Sequence, residues 1–307
     1  MNVAKAIALK LISAIMFAVM SALVRWLGET IPVGQVVFFR SAWAILPVVL
    51  IFAWRRELSA AVRTGRPLGH LGRGLISMTG MFLNFAALAR LPLVDATAIG
   101  FAAPLITVAL AAMFLGERVR IYRWSAVAVG FAGVIVMLWP YLDLARLASG
   151  SAATTIGAFL ALGSAFTNAG SVVQTRRLTS TETTSSIVFY FSFFCALAGA
   201  ATLPFAWVTP TWPQLAALIA TGILGGLAHL LVTESYRLAP ASLVAPFDYT
   251  AMIWAFVLGY CLFGEIPSSY VYVGSIIVAA AGLYVIWRER QLGLKRAKAA
   301  EGPPTGA

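Results

Sequence analysis

Ionisable side chains inside long apolar stretches are the residues of this chain best placed to bind a solute or a proton. Arg40, His229, Glu234 and Asp248 all occur within such stretches. An ionisable group in hydrocarbon is costly unless it is paired, hydrated or bound to a ligand, so it marks a functional site by default. Each of these residues therefore needs a partner, and the partner decides its role.

Arg40 lies about seven residues inside the apolar stretch 33–54. Its guanidinium carries only N–H donors. It either binds an anionic group of a solute or makes a structural pair with a carboxylate or with carbonyls at a helix end. We predict Arg40 as a substrate-binding residue, and in either role its replacement by alanine should impair the protein.

Asp248 is predicted as a group that binds and releases a coupling proton or cation. It lies in the apolar stretch 243–263, just after Pro246. A proline inside a helix frees a carbonyl one turn earlier, so the helix is expected to be broken or hydrated there. The alternative is an ion pair with a neighbouring helix, with Arg237 or Arg40 as the partner.

A stripe of polar residues lies within the apolar stretch 213–236. His229, Thr233 and Tyr236 occur at i, i+4 and i+7, so they share one helix face. His229 is a candidate for binding a substrate on that face, and a hydrogen-bonded packing role is the alternative. Glu234 is a second coupling candidate, although its spacing from Arg237 favours an interfacial salt bridge.

Amides and aromatic rings within other apolar stretches complete the predicted binding site. Asn84 and Asn168 can bond either to a substrate or across helices. Phe101, Tyr249 and Trp254 offer flat surfaces for a ring, with simple packing as the alternative for the tryptophan. Together they predict a small organic solute that has an apolar or ring-bearing part and a polar handle.

Other chemistries find little support in the residues. Two histidines and two cysteines in the whole chain make a metal site or a disulfide improbable, so we predict neither a metal nor a cofactor. No Gly-x-x-x-x-Gly-Lys-Ser/Thr stretch is present. A convergent catalytic set is not evident, and an enzyme is not predicted.

The composition indicates how these residues must be positioned. Of the 307 residues 61% are hydrophobic and only 11% are charged, and the mean hydropathy is +0.89. About 20 apolar residues cross a bilayer as a helix. We therefore predict an all-α polytopic membrane protein with ten transmembrane helices, near 4–26, 33–54, 71–89, 95–115, 122–140, 153–174, 185–207, 213–236, 243–263 and 270–287.

The two halves of the chain resemble each other. At an offset of 148 residues, Pro92 corresponds to Pro240 and Gly116-Glu117 to Gly264-Glu265; at an offset of 151, Val37-Phe38-Phe39 corresponds to Val188-Phe189-Tyr190. The paired glutamates lie at span ends, where a capping or loop role is favoured. We predict a first repeat over 1–140, a second over 153–287, and a basic, disordered cytoplasmic tail over 288–307.

The arginines and lysines predict the orientation. If the amino terminus is cytoplasmic, only Arg25, Arg90 and Arg146 of the 22 basic residues fall on the opposite side, and Arg40 lies inside a span. This is the positive-inside pattern, with both termini cytoplasmic. Because this pattern also accounts for the net charge of +11, we do not predict binding to nucleic acid. Five spans per repeat, an odd number, make the second repeat inverted, as in secondary transporters.

Small residues are dense in two of the predicted spans. Span 5 contains Ala126, Gly130 and Gly133, and span 10 contains Gly274 and Gly282. Such residues let helices approach closely. Packing within the monomer is the expected use, and a homodimer through spans 5 and 10 is the alternative.

Over nearly its whole length the chain resembles the EamA family of the drug/metabolite transporter superfamily, as two tandem copies. The resemblance rests on the following segments: Phe38-Phe39-Arg40-Ser41-Ala42, Asn84-Phe85-Ala86-Ala87-Leu88, Ala103-Pro104-Leu105, Leu115-Gly116-Glu117-Arg118 and Gly130-Phe131-Ala132-Gly133-Val134. The second copy departs from the pattern, because Met252 corresponds to Pro104 and Phe191 stands opposite Arg40.

The resemblance implies ten helices, a cavity lined mainly by spans 1–4 and 6–9, and spans 5 and 10 at the periphery. Within the superfamily the chain resembles uptake-type bacterial members, including riboflavin and S-adenosylmethionine transporters. We therefore expect a secondary active transporter in the bacterial inner membrane, in contact with lipids. It would move a ring-bearing or amphipathic metabolite such as riboflavin, an amino acid or a nucleoside-type compound by alternating access, with proton coupling. A channel or a lipid-moving protein is the alternative.

Overall fold

The computed structural model describes residues 3–54, 64–115, 120–141, 152–178, 184–239 and 244–300. Within these ranges the chain is helical and contains no strand. The first half forms α1 Val3–Leu27, α2 Val33–Trp54, α3 Pro67–Leu88, α4a Leu93–Gly100, α4b Ala102–Leu115 and α5 Ile121–Leu138. The second half forms α6 Ala152–Leu178, α7 Thr184–Ala201, α8 Trp212–Leu238, α9 Thr250–Phe263 and α10 Ser269–Ala300.

Most of these helices have the length and composition of membrane spans. Seven helices in the described ranges qualify: Val3–Leu27, Pro67–Leu88, Leu93–Phe114, Ile121–Tyr141, Ala153–Thr175, Trp212–Ser235 and Ser269–Leu292. Three shorter apolar helices cover Val33–Pro47, Phe189–Ala201 and Phe247–Phe263. The predicted all-α, multi-pass membrane class is confirmed, whereas the number of ten spans stays a prediction.

Prolines interrupt the fourth and the ninth helix. Pro104 has no N–H, and its ring would clash with the carbonyl of Gly100, so the helix breaks at Phe101 between α4a and α4b. Before α9, residues Ala245–Tyr249 form a 3₁₀ turn that contains Pro246. The irregular backbone predicted near Asp248 is therefore confirmed.

The helix packing repeats between the two halves. The most extensive contacts include those of α1 with α8 and of α3 with α6. These two contacts are equivalent, because α1 corresponds to α6 and α3 to α8 in the repeat. The contacts of α2 with α8 and of α7 with α3 are related in the same way. The pairs α2–α7 and α5–α10 map onto themselves. The sequence repeat is thus also a structural repeat, and the equivalent helices of the two halves meet across its centre.

The outer surface is apolar, as expected for helices that face lipid. Among the described residues, five tryptophans have exposed side chains, namely Trp26, Trp124, Trp139, Trp212 and Trp287. Such positions suit the membrane–water interface. Helix α10 continues to Ala300 and so includes residues 288–300 of the segment predicted as a disordered tail. Residues 301–307 lie outside the described part.

The small residues of α5 and α10 allow these two helices to pack closely against each other. A Cβ at Gly133 would lie 2.9 Å from Ile277 Cγ2 and 3.0 Å from the carbonyl oxygen of Gly274. A Cβ at Gly274 would in turn lie 2.5 Å from the carbonyl oxygen of Gly133. The expected packing of spans 5 and 10 within the monomer is confirmed.

Candidate functional site

A cavity of about 360 Å³ lies among the helices of both halves. The first half lines it with Phe17 and Met20 of α1, Arg40 and Ala44 of α2, and Arg73, Ser77, Gly80, Met81, Asn84 and Phe85 of α3. The second half lines it with Ser164, Asn168 and Ser171 of α6, Phe191 and Ser192 of α7, and Gly226 and His229 of α8. A volume of this size suits a small metabolite.

Four of the nine predicted site residues meet at this cavity. Arg40, Asn84, Asn168 and His229 line it, although they come from four different helices. The cavity expected from spans 1–4 and 6–9 needs a correction, because no described residue of α4a, α4b or α9 is among the lining residues. Those helices pack instead against α1, α6 and each other.

Arg40 and His229 are in direct contact across α2 and α8. Nη2 of Arg40 lies 3.2 Å from Nε2 of His229. Since a guanidinium has only donors, Nε2 must accept, and the imidazole is neutral with its proton on Nδ1. Arg40 is 4% exposed, and its Nε and Nη1 have no hydrogen-bond partner among the described residues. Two donor nitrogens of the guanidinium thus remain for a ligand or water.

Glycines of α8 let α2 approach closely enough for that contact. A Cβ at Gly222 would lie 2.9 Å from the carbonyl oxygen of Phe39 and 3.1 Å from that of Arg40. A Cβ at Gly226 would lie 2.8 Å from Pro47 Cγ. Any larger residue at these positions would push α2 away from α8.

A second arginine at the cavity was not predicted as a site residue. Arg73 of α3 was counted among the basic residues of the cytoplasmic side, but it lines the cavity. Its Nε donates to Thr175 Oγ1 at 2.7 Å, and its Nη1 donates to the carbonyl of Ile187 at 2.9 Å. The Cζ atoms of Arg73 and Arg40 lie 5.5 and 5.8 Å from the centroid of the Phe191 ring. Phe191 therefore contacts both cations.

A spacing pattern in the sequence would have revealed Arg73. The polar or small residues Arg73, Ser77, Gly80 and Asn84 recur at i, i+4, i+7 and i+11. On α6 the same spacing joins Ser164, Asn168, Ser171 and Thr175. The two stripes face each other, and the hydroxyls of Ser77 and Ser171 are 2.5 Å apart. The polar face of α3 thus includes the arginine.

Phe101 and Tyr249 form a separate contact instead of lining the cavity. Their rings stack with centroids 5.1 Å apart and an interplanar angle of 21°. The two residues are repeat equivalents, 148 positions apart. They join the break in α4 to the turn before α9, so stacking on each other occupies the faces that a substrate ring would need.

Asp248 is paired, but its partner differs from both predicted partners. Asp248 Oδ1 lies 2.7 Å from Lys10 Nζ and makes no ion pair with Arg40, whereas the side chain of Arg237, the other predicted partner, lies outside the described part. The Lys10 side chain is 3% exposed and that of Asp248 is 48% exposed. Lys10 had been assigned to a cytoplasmic end, but it lies within α1, where burial demands a counter-charge.

The remaining predicted residues lie away from the cavity. Glu234 is partly buried near the end of α8, and Trp254 is partly buried in α9; neither is among the lining residues. The polar stripe ends one turn after His229, because Thr233 is exposed and donates to the carbonyl of His229 at 2.8 Å. The side chains of Tyr236 and Arg237 lie outside the described part.

Glu265 confirms the capping role predicted for the repeated glutamates. The residue directly before it, Gly264, ends α9 and adopts a left-handed φ of 63°. Glu265 Oε2 accepts a hydrogen bond from the Leu93 N–H at 2.7 Å, at the start of α4a, and Oε1 lies 3.5 Å from Arg25 Nε. Burial raises the pKa of Glu265, although the Leu93 N–H and Arg25 oppose this effect. Glu117 lies outside the described residues.

The sequence profile of the EamA-like transporter family matches residues 4–139 and 155–288. These two matches cover most of the chain and correspond to its two structural halves. The chain belongs to the EamA-like transporter family. It is therefore a membrane transporter by family, and the cavity between its repeats becomes the candidate substrate site.

Curated relatives of this EamA-family protein are named for transport. A riboflavin transporter of Rhizobium johnstonii is 30% identical over 281 residues, which are 91% of this chain and 89% of that protein. An S-adenosylmethionine uptake transporter of Rickettsia bellii is 27% identical over 89% of this chain and 90% of its own length. A pseudopaline exporter of Pseudomonas aeruginosa is 28% identical over 89% and 93%. The predicted similarity to riboflavin and S-adenosylmethionine transporters is confirmed.

A solved crystal structure shows the same fold. It covers 94% of this EamA-family chain and 99% of its own, with a TM-score of 0.64 and 19% sequence identity. At that identity the likeness extends to the fold alone.

Proposed function

We propose that this protein is a secondary active transporter that moves a small organic metabolite across the bacterial inner membrane by alternating access. The observation that carries the proposal is the cavity where Arg40, Asn84, Asn168 and His229 meet. Polar groups in a membrane-spanning bundle are costly unless they serve a ligand, an ion or water. Their convergence from both repeats matches the placement of substrate sites at repeat interfaces.

Two ion pairs at opposite ends of α1 support an alternating mechanism. Lys10 contacts Asp248 before α9, and Arg25 contacts Glu265 after α9. The two α1 residues are separated by about 22 Å along the helix axis at ~1.5 Å per residue. In the proposed mechanism one pair opens while the other stays closed, so that α1 and α9 separate at one end at a time.

Asp248 is the proposed coupling residue. Protonation of its carboxylate would remove the charge that holds Lys10, and so it would weaken the contact between α1 and the turn before α9. Half of the Asp248 side chain is exposed, so the carboxylate is accessible from outside the helix bundle. Coupling then follows if the substrate site changes access when this contact opens.

The proposed orientation places both termini in the cytoplasm. Lys10 and Arg73 are left out of the count of basic residues on each side of the membrane, because Lys10 pairs with Asp248 and Arg73 lines the cavity. The other basic residues keep the bias predicted from the sequence. A homodimer through outward faces of α5 and α10 is kept as a further proposal.

Transport by purified protein in liposomes tests the function. Because the relatives' names include uptake transporters and an exporter, a pooled metabolite panel is offered outside and, in a second format, preloaded inside. Both formats are run with and without an imposed proton gradient, and protein-free liposomes are the control. Saturable accumulation or exchange of one compound is expected. Conductance without saturation, or scrambling of labelled lipid without solute transport, would replace the proposal with a channel or a lipid-moving protein.

A further inference from the structure

The charge of the cavity is unusual for a site inside a membrane bundle. Arg40 and Arg73 both line it, and no aspartate or glutamate is among its lining residues in the described part of the chain. Positive charge buried without a counter-ion is strongly unfavourable, and the protein must compensate it with a bound anion or water.

Three carboxylates of the described bundle have partners outside the cavity. Asp248 contacts Lys10, and Glu265 contacts Arg25 and the Leu93 N–H. Asp95 accepts a hydrogen bond from the hydroxyl of Tyr141. The structural partner that would have made Arg40 a packing residue is therefore not supplied by these acids.

His229 does not compensate the charge either. Its contact with Arg40 requires a neutral imidazole that accepts through Nε2. The Phe191 ring offers both guanidiniums the negative face of a quadrupole, which is a weak, partial compensation. The two positive charges remain, and two buried nitrogens of Arg40, Nε and Nη1, have no hydrogen-bond partner among the described residues.

Arg73 is positioned in advance for a ligand. Hydrogen bonds to Thr175 and to the carbonyl of Ile187 fix Nε and Nη1, so the side chain loses little conformational entropy when a ligand binds. Both arginines come from the first repeat, and the repeat equivalent of Arg40 is Phe191. The positive charge is therefore concentrated on the first repeat, and a bound ligand would be held there by its anionic end.

We propose that the cavity recognises its metabolite by an anionic oxygen group, a carboxylate or a phosphate, that Arg40 and Arg73 hold together. This inference rests on the proposed function, in which the cavity is the substrate site. Phe17, Phe85 and Met81 offer apolar walls for the rest of the ligand. The substrate class is thus a small organic anion with an apolar or ring-bearing part.

Binding of matched pairs to the purified protein in detergent tests the inference without depending on transport. Each pair differs in the anionic group: nicotinate and nicotinamide, indole-3-acetate and indole-3-acetamide, uridine 5′-monophosphate and uridine. The first two pairs report a carboxylate, and the third reports a phosphate. In at least one pair we expect the anion to bind at least about tenfold more tightly than its neutral partner, measured by ligand-dependent thermal shift or calorimetry.

Variants assign the preference to the two arginines. Arg40→Gln and Arg73→Gln should each remove the preference for the anion, and Arg73→Lys should restore part of it. Arg90→Gln is the matched control, because Arg90 is exposed and donates to the Ala86 carbonyl outside the cavity. A cooperative thermal transition shows that each variant is folded, and Arg73→Gln tests the inference alone if Arg40→Gln does not fold.

The outcomes separate the two proposals. Equal binding of neutral and anionic partners, an unchanged preference in Arg73→Gln, or no binding by any of the three anions overturns the inference. Binding of an anion that depends on both arginines supports it, even if liposomes show no transport, and that combination overturns the proposed function instead. Saturable transport of a neutral solute that is indifferent to Arg73→Gln supports the function and overturns the inference.

Discussion

Lys10 Nζ lies 2.7 Å from Asp248 Oδ1, which joins the first turns of α1 to the 3₁₀ turn before α9 across 238 residues of sequence. The lysine is almost completely buried, whereas the carboxylate is half exposed. The pair therefore neutralises a charge that α1 cannot expose to water, and it places a titratable carboxylate at the edge of a helix contact. Stability and coupling both depend on this arrangement.

Removing one partner of this pair should destabilise the protein more than removing both. Asp248→Asn removes the carboxylate that pairs with the buried Lys10, and we expect a loss toward about 3 kcal/mol, the lower end for broken buried pairs, because Asp248 is half exposed. The double variant Lys10→Met/Asp248→Asn should recover part of that loss. Thermal unfolding in detergent measures both effects. Glu29→Gln, which breaks the exposed Arg25–Glu29 pair, is the control and should cost ~0.5 kcal/mol or less.

Asp248→Asn should also remove the pH dependence of transport. An asparagine cannot bind and release a proton, so uptake by the variant would no longer respond to an imposed proton gradient, while exchange of preloaded substrate would continue. Initial rates of both reactions in proteoliposomes, over a range of pH, give the comparison. A variant that keeps the wild-type pH profile would exclude Asp248 from coupling.

His229 should act through its acceptor nitrogen. His229→Leu leaves one more N–H of the buried Arg40 without an acceptor, and we expect a cost of about 1–3 kcal/mol and a large loss of transport. His229→Gln keeps an acceptor oxygen and should lose less of both. The melting temperature and the initial uptake rate are measured for each variant. If leucine and glutamine behave alike, the contact with Arg40 does not position the arginine.

Glu265 should make a pH-dependent contribution to stability. Its pKa is raised above the ordinary 4.5 by burial, so the folded protein holds this proton more tightly than the unfolded chain does. The contribution favours the folded state at low pH and is lost as the pH rises through the raised pKa. Relative to Glu265→Gln, the wild-type melting temperature should therefore rise as the pH falls toward 4.5.

A difference in melting temperature that is independent of pH would contradict this assignment. Arg25 provides a check, because it contacts Glu265 and favours the charged form of the carboxyl group. In an Arg25→Gln background the pKa of Glu265 should rise further, and the pH-dependent change should begin at a higher pH.

Gly222 should be required for the position of Arg40. The added Cβ of Gly222→Ala would lie 2.9 Å from the carbonyl oxygen of Phe39 and 3.1 Å from that of Arg40, so α2 must shift. We expect about 1–3 kcal/mol of destabilisation and weaker transport. Gly100→Ala is the matched control, since its Cβ would meet nothing within 4 Å, and alanine favours a helix. Equal melting temperatures for the two variants would contradict the close packing of α2 on α8.

The candidate site was only partly predictable from the sequence. Arg40 and His229 were recognised because a charged or titratable residue stands out in an apolar stretch, whatever it contacts. Arg73 was missed because it lies near a span end and resembles a loop residue when only charge is counted. Phe101 and Tyr249 were assigned to the cavity from ring chemistry, but they stack on each other.

The contact partners of the site residues were less predictable than the site residues themselves. Asp248 had two arginines as candidate partners, yet a lysine on α1 occupies that place. The choice depends on how far each helix is rotated and shifted against its neighbours, and a periodic pattern within one helix contains no information on that. The glycines of α8 show the same limit: their density predicts close packing, but only the tertiary contacts identify α2 as the neighbour.

From the sequence alone follow the membrane class, the helical fold, the duplicated halves and the family resemblance, because each depends on composition, on local periodicity or on similarity along the chain. The tertiary structure decided which residues share the cavity. Arg40 and His229 are 189 residues apart, and Arg73 and Thr175 are 102 apart, yet both pairs are in hydrogen-bond contact. Such contacts arise only when the two repeats pack together, since burial forces each charged group to find its partner on another helix.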